Sequence, residues 1–214
     1  MILTYLGHSF FTLSLENGAV IAMDPYGEFY GYPRRLVRAD ACLISHHHYD
    51  HDGVGCVAPE AQRVDQAGEH DIGHGAKVTG VATWHDAQGG AQRGPNVFFI
   101  VEAEGLRIGH AGDLGHVPTA EQARRIGKLD VLLLPVGGYY TIDAATAEEV
   151  RRLLRPTVTV PMHYRTAFDP QMPIAGLEAY LSLAGAQDTQ LPFLRLAQGD
   201  VCERPSVVTL AIEG

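Results

Sequence analysis

The order of elements in this 214-residue chain predicts an α/β fold of two sheets with helices outside, rather than a single parallel sheet. Three observations point there. The first 24 residues alternate apolar segments with a turn and show no helical pattern. The later half alternates strand-like apolar runs with helices. A last apolar run, Val207 to Ile212, closes the chain as a strand. The length allows one domain with a substantial core, and no linker or repeat divides it.

Leu3 to Leu6, Phe10 to Leu15 and Ala19 to Met23 read as strands, with Glu16-Asn17-Gly18 as a hairpin turn. Asp24-Pro25 stops the third strand. Residues 25–38, rich in Tyr, Gly, Pro and Arg, read as an exposed loop. Ala41 to Ile44 is a short buried strand. Residues 57–83 carry only scattered strand signals, chiefly Lys77 to Val81. Val97 to Ala103 and Leu106 to Gly109 form a second hairpin about Glu104-Gly105. Thr119 to Ile126 has helical spacing, and Val131 to Leu134 is a strand ending at Pro135. Ala144 to Leu154 is an amphipathic helix closed by Pro156. Thr157 to Val160 is a strand, and Ile174 to Ala184 a helix stopped by Gly185.

Composition narrows the function classes. The chain is 46% hydrophobic and 19% charged, with a formal charge of −9, so a basic nucleic-acid face is not expected. No run approaches the roughly 20 apolar residues of a membrane helix. The start, Met1 to Gly7, lacks a basic n-region and passes into strand, which predicts a cytoplasmic protein. Cys42, Cys56 and Cys202 form no C-x-x-C pair and read as reduced structural thiols.

The chemistry concentrates in Ser45-His46-His47-His48-Tyr49-Asp50-His51-Asp52-Gly53, which contains His-x-His-x-Asp-His. Divalent metals take imidazole nitrogen and carboxylate oxygen. The same layout, an apolar strand followed by His or Asp, recurs at Asp24, at Thr83-Trp84-His85-Asp86, at His110-Ala111-Gly112-Asp113 and at Pro161-Met162-His163. That is the pattern of a metal site along one sheet edge. Singly, His85 or His163 would read as a hydrogen-bonded strand-end residue and Asp113 as a turn former. The ordered set gives the ligand reading.

Asp24, His46-x-His48-x-Asp50-His51, His85, Asp113 and His163 resemble the five ordered motifs of the metallo-β-lactamase fold superfamily, across nearly the whole chain. Gly7-His8-Ser9, His110-Ala111-Gly112-Asp113, Pro135-Val136-Gly137-Gly138 and Pro161-Met162-His163-Tyr164 resemble its branch of metal-dependent hydrolases close to L-ascorbate-6-phosphate lactonase. The resemblance implies a four-layer αββα sandwich and two divalent metal ions, Zn2+ first, with Mn2+ or Ni2+ as alternatives. His46, His48 and His85 would hold the first ion, Asp50, His51 and His163 the second, and Asp113 would bridge them. Asp24 would support the His loop from behind. Metal coordination brings a water pKa from 15.7 to about 7, so hydroxide can attack an ester, lactone or phosphodiester. An iron-dependent oxidoreductase and a nuclease-type phosphodiesterase are the alternatives.

Asp50 is the main catalytic candidate, and His110, beside the Gly-Asp motif, is a candidate donor to the leaving group, ahead of His116. His47 should point away from the metals, and His8 is a pocket candidate. His70 and His74 read as surface residues. Tyr26, Phe29, Tyr30, Tyr32, Arg34 and Arg35 suit a lid over an anionic, partly apolar ligand. Arg165 is a candidate anion clamp, and Tyr139 or Tyr140 a substrate contact. The expected partner is a small, anionic substrate, with no nucleic acid and no membrane. A homo-oligomer is compatible.

Overall fold

The computed structural model describes residues 1–199 and 206–213. The opening strands form where alternation of apolar residues is clearest. β1 (Ile2–Gly7), β2 (Phe10–Ser14) and β3 (Val20–Met23) form an antiparallel meander, and β4 (Ala41–Leu43) adds parallel to β3. Successive residues of a strand point to opposite faces. Leu3, Tyr5, Leu13 and Ile21 therefore join the core shared with the second sheet, while Leu6, Phe10 and Cys42 enter a separate cluster.

Two short strands fell in the weakly patterned stretch. β5 (Gln62–Val64) and β6 (Gly68–Asp71) are polar and largely exposed, so no apolar period marks them. β5 ends the first sheet, whose other edge is β12 (Leu194–Arg195), in the order β12-β1-β2-β3-β4-β5. The second sheet runs β11-β10-β9-β8-β7-β6. It contains β7 (Lys77–Trp84), β8 (Pro95–Ala103), β9 (Leu106–His110), β10 (Val131–Pro135) and β11 (Val158–Met162). β9, β10 and β11 are parallel and joined through helices, as parallel neighbours require.

α1 (Ala120–Ile126) opens with a capping box between Thr119 and Gln122, and α2 (Ala144–Leu154) opens on the Asp143 carboxylate. The third predicted helix starts late. α3 spans Leu177–Ala184, because Gly176 is extended and Ala175 donates its N–H to Gly137 O at 2.7 Å. α1 lies against β7 and α2 against α3, which gives one helical layer. The two central sheets and this layer match the expected sandwich. Over the outer face of the first sheet lie Tyr26, Phe29, Tyr32, Met172 and Ile174.

Two expectations change. Residues 25–38 are not simply an exposed loop, since Tyr26 is 0% and Phe29 2% exposed. Val207 to Ile212 is not a continuous strand. Val207 bridges to Thr159 and Leu210 to Leu191, so the segment pairs with two different partners in turn. Cys42 and Cys56 are buried free thiols, and Cys202 lies outside the described residues. No helix among the described residues is long and apolar enough to cross a membrane.

The topology decides where the site sits. β1, β3 and β4 point the same way, and so do β7, β9, β10 and β11. His8, Asp24 and the 45–53 loop thus leave one edge of the first sheet. His85, Asp113 and His163 leave one edge of the second.

Candidate metal centre

The His loop is organised from behind by Asp24. Its Oδ1 accepts from Ser45 N–H at 2.7 Å, and its Oδ2 accepts from Ser45 Oγ at 2.6 Å and from His51 Nδ1 at 2.8 Å. With its own proton given to Asp24, the Ser45 hydroxyl accepts from His46 Nδ1 at 2.9 Å. Both rings are thereby fixed with Nε2 turned inward, the orientation a ligating imidazole needs.

Two ligand groups converge there. His46, His48 and His85 bring one ligand atom each within 4.8 Å of one another, and so do His8, Asp50, His51 and His163. Asp113 stands between them. Its Oδ2 lies 3.1 Å from His85 Nε2, 3.3 Å from His163 Nε2 and 3.8 Å from His46 Nε2, and its Oδ1 lies 3.2 Å from His51 Nε2. A turn gripped by Asn96 holds this carboxylate. Asn96 Oδ1 accepts from Asp113 N at 3.0 Å while its Nδ2 donates to Ala111 O at 2.9 Å. Only glycine fits next door, because a Cβ on Gly112, at φ +55°, would stand 2.4 Å from Asn96 Oδ1 and 2.5 Å from Ser45 Cβ.

These residues fit a metal. The inward Nε2 atoms of His8, His46, His51 and His163, with Asp113 Oδ1, are buried without a hydrogen-bond partner. Buried polar atoms of native proteins are normally satisfied, so a cluster of orphans aimed at one point asks for an ion. Ligands of a tetrahedral ion with bonds of about 2.0–2.1 Å stand about 3.3–3.4 Å apart. The contacts of 3.1–3.3 Å about Asp113 are of that size. Charge agrees. Burial would raise the Asp113 carboxyl, but His163 and His51 hold it well below the usual range. Burial lowers His46 to about 3, so it is a neutral donor. His51 is raised despite burial, because Asp113 and Asp50 face it. The edge is built to surround positive charge.

His8, Asp24 and His163 all adopt left-handed φ, at +54°, +46° and +52°. Such strain in residues other than glycine costs on the order of 1–3 kcal/mol and gathers at functional sites.

The comparisons with known proteins bear on the same residues. The family described as Beta-lactamase superfamily domain matches residues 2–163. A Thermotoga maritima structure, described as a Zn-dependent hydrolase of the metallo-β-lactamase superfamily, is 34% identical. It superposes with a TM-score of 0.80 over 98% of both chains. This chain belongs to the metallo-β-lactamase superfamily. A Pelotomaculum thermopropionicum protein named UPF0173 metal-dependent hydrolase is 31% identical, over 78% of this chain and 85% of its own. An Archaeoglobus fulgidus protein of the same name is 30% identical, over 78% and 84%. By relationship the chain is a metal-dependent hydrolase. The nearness to ascorbate-6-phosphate lactonase finds no further support.

Within this superfamily member, all seven predicted ligands, His46, His48, Asp50, His51, His85, Asp113 and His163, lie in or against the two groups. Other expectations are corrected. His110 does not reach a leaving group. It is 1% exposed, its Nε2 lies 2.9 Å from Ser9 O and its Nδ1 accepts from Gly112 N at 3.1 Å, so both nitrogens serve the backbone. His116 likewise accepts from Trp84 N at 3.2 Å. His47, by contrast, points away as expected, with Nδ1 2.8 Å from Asp52 Oδ2. Arg35 binds the carbonyl of Glu213, and neither Arg34 nor Arg165 lines the site.

A cavity of about 280 Å³ opens over His48, Asp50, His85 and Asp113. Its walls are Tyr30, Tyr49, Tyr140, Arg93 and Met172. Sequence reasoning missed Arg93, Asn96 and the closeness of His8 to the second group. His8 Nε2 stands 3.3 Å from Asp50 Oδ2, and its ring lies 4.1 Å from that of His163. The Gly7-His8-Ser9 break between two strands was its only signal.

Proposed function

We propose that this chain is a dinuclear metal-dependent hydrolase that cleaves an ester, lactone or phosphodiester bond in a small anionic molecule. One observation carries the reading: Asp113 touches members of both ligand groups at once. His46, His48 and His85 would hold one divalent ion, and Asp50, His51 and His163 the other, with Asp113 shared. Zinc is the first choice for this set of nitrogen and oxygen donors, and manganese and nickel accept it too. Such a pair, when bound, supplies Lewis acidity and makes water acidic enough to attack at neutral pH.

The chain's own residues supply the rest. Asp24 fixes the tautomer of His51, and Ser45 that of His46, so the inward nitrogens are pre-set. Asp50 lines the cavity, where its carboxylate would orient the attacking water. His51 and His8 keep that carboxyl ionised by holding it below the usual range against the opposing effect of burial. The cavity size suits a small molecule.

The test is a panel of lactones, phosphodiesters and β-lactams with the metal-loaded protein and Asp50→Ala. The expected result is turnover on one class, abolished in the variant while circular dichroism stays near wild type. Turnover surviving in Asp50→Ala would contradict the reading.

A further inference from the structure

Of the chain's cationic side chains that the structure describes, Arg93 is the one that lines the cavity over the ligand groups. It is not there by accident of a loose loop. The Asp86 carboxylate, which follows ligand His85, accepts from the backbone N–H groups of Gln88, Gly90, Gln92 and Arg93 at 2.7–3.0 Å. One side chain thus ties the 87–93 turn into a fixed shape beside the site. The guanidinium is held from the other side. Its Nη2 donates to Tyr139 O at 3.1 Å, and its carbon lies 5.7 Å from the centre of the Tyr140 ring. Tyr139 adopts φ +62° to offer that carbonyl.

The contacts that position Arg93 do not neutralise it. Among the described residues it meets a carbonyl and an aromatic face but no carboxylate. A planar cation held on one edge keeps its remaining N–H donors in a fork that matches carboxylate or phosphate. The rest of the wall is aromatic apart from Met172. Tyr30 is 54% and Tyr49 69% exposed, and both line the same cavity. Exposed aromatic rings converging on a concave site give area for a flat ligand.

We infer that Arg93 with Tyr30, Tyr49 and Tyr140 forms a recognition site for a small molecule bearing a carboxylate or phosphate on a planar ring. What is done to that molecule rests on the hydrolase reading above; its binding does not. The ring would lie among the tyrosines, the anion on Arg93, and the scissile group over His48, Asp50, His85 and Asp113.

Calorimetry of the 214-residue chain tests this with 4-hydroxybenzoate, phenyl phosphate, phenol and acetate. At least one ring anion should bind about 10-fold or more tightly than phenol (ring alone) or acetate (anion alone). Arg93→Ala should weaken the ring anion about 10–100-fold without changing phenol, and Arg93→Lys should restore part of the loss. Equal binding of phenol and the ring anions, or full binding in Arg93→Ala, overturns the inference. A parallel assay of 4-acetoxybenzoate and phenyl acetate separates the two readings. Ring anions that bind through Arg93 beside a protein that cleaves no ester, lactone or phosphodiester would uphold the recognition site and sink the hydrolase. Equal cleavage of both esters, unchanged in Arg93→Ala, would do the reverse.

Discussion

The group formed by His46, His48 and His85 opens to the cavity through His48, which is exposed, and His85, whereas in the group of His8, Asp50, His51 and His163 only Asp50 reaches it. The first group has no carboxylate of its own and depends on Asp113. The second has Asp50 within it and Asp24 behind His51. Neutral imidazoles at an open edge bind an ion less firmly than buried imidazoles backed by carboxylates. The proposed ion of the first group would therefore exchange with ligand and water more readily than that of the second. Both hang on strand ends of different sheets, so the pair exists only when the sandwich is closed.

The largest effect should come from removing what the halves share. Asp113→Ala should lose both ions and lower kcat/KM by about 10³-fold or more, since Lewis-acid stabilisation is worth several kcal/mol. Metal analysis and kinetics read this together, and a variant that keeps both ions would show that the halves do not share this carboxylate. Next, His48→Ala should lose one ion and keep the other under mild chelation, while His51→Ala should disturb both. Equal retention in the two variants would show that the halves are not different in kind. Asp24→Asn should weaken the second half about 10–100-fold in metal affinity, read by chelator competition, with a smaller change in the first.

Much of this was legible because ligation needs particular residue types at strand ends, and apolar runs mark strand ends well. His46 to His51, His85, Asp113 and His163 announced themselves that way. What stayed hidden depends on packing across long sequence separations. Asn96 reaches Asp113 from a neighbouring strand, with no local motif to mark it. Arg93 is aimed by four backbone bonds to Asp86, a pattern that Asp-Ala-Gln-Gly-Gly does not spell out. His110 misled because it sits beside the Gly-Asp motif, yet its strand turns it toward Ser9. Aromatic residues at 26, 29 and 32 looked like a lid because polar and glycine neighbours mimic a surface loop. In the fold they cover a sheet face.

The smallest effects should fall away from both halves. Asp143 caps α2 by accepting from Thr146 N at 2.8 Å, so Asp143→Ala should cost about 1 kcal/mol of stability with metal content unchanged. The Thr146 bonds hold the Asp143 carboxyl below its ordinary value of 3.8. A lowered folded-state pKa stabilises above the unfolded value and is lost as pH falls through the folded one. The gap between wild type and variant in melting experiments should thus be full at neutral pH and close in acid below about pH 4. His47→Ala removes an exposed pair with Asp52 and should stay within about 0.5 kcal/mol.

Whether one carboxylate joins two metal-binding halves can be read from a metal titration of the chelator-stripped protein. With hydrolysis followed at each addition of Zn2+, Mn2+ or Ni2+, about two ions should bind per chain. The buried half should fill first, and activity should rise with the second ion. Full activity at a single ion, or protein as purified that holds mainly iron and consumes oxygen, would contradict the dinuclear hydrolase reading.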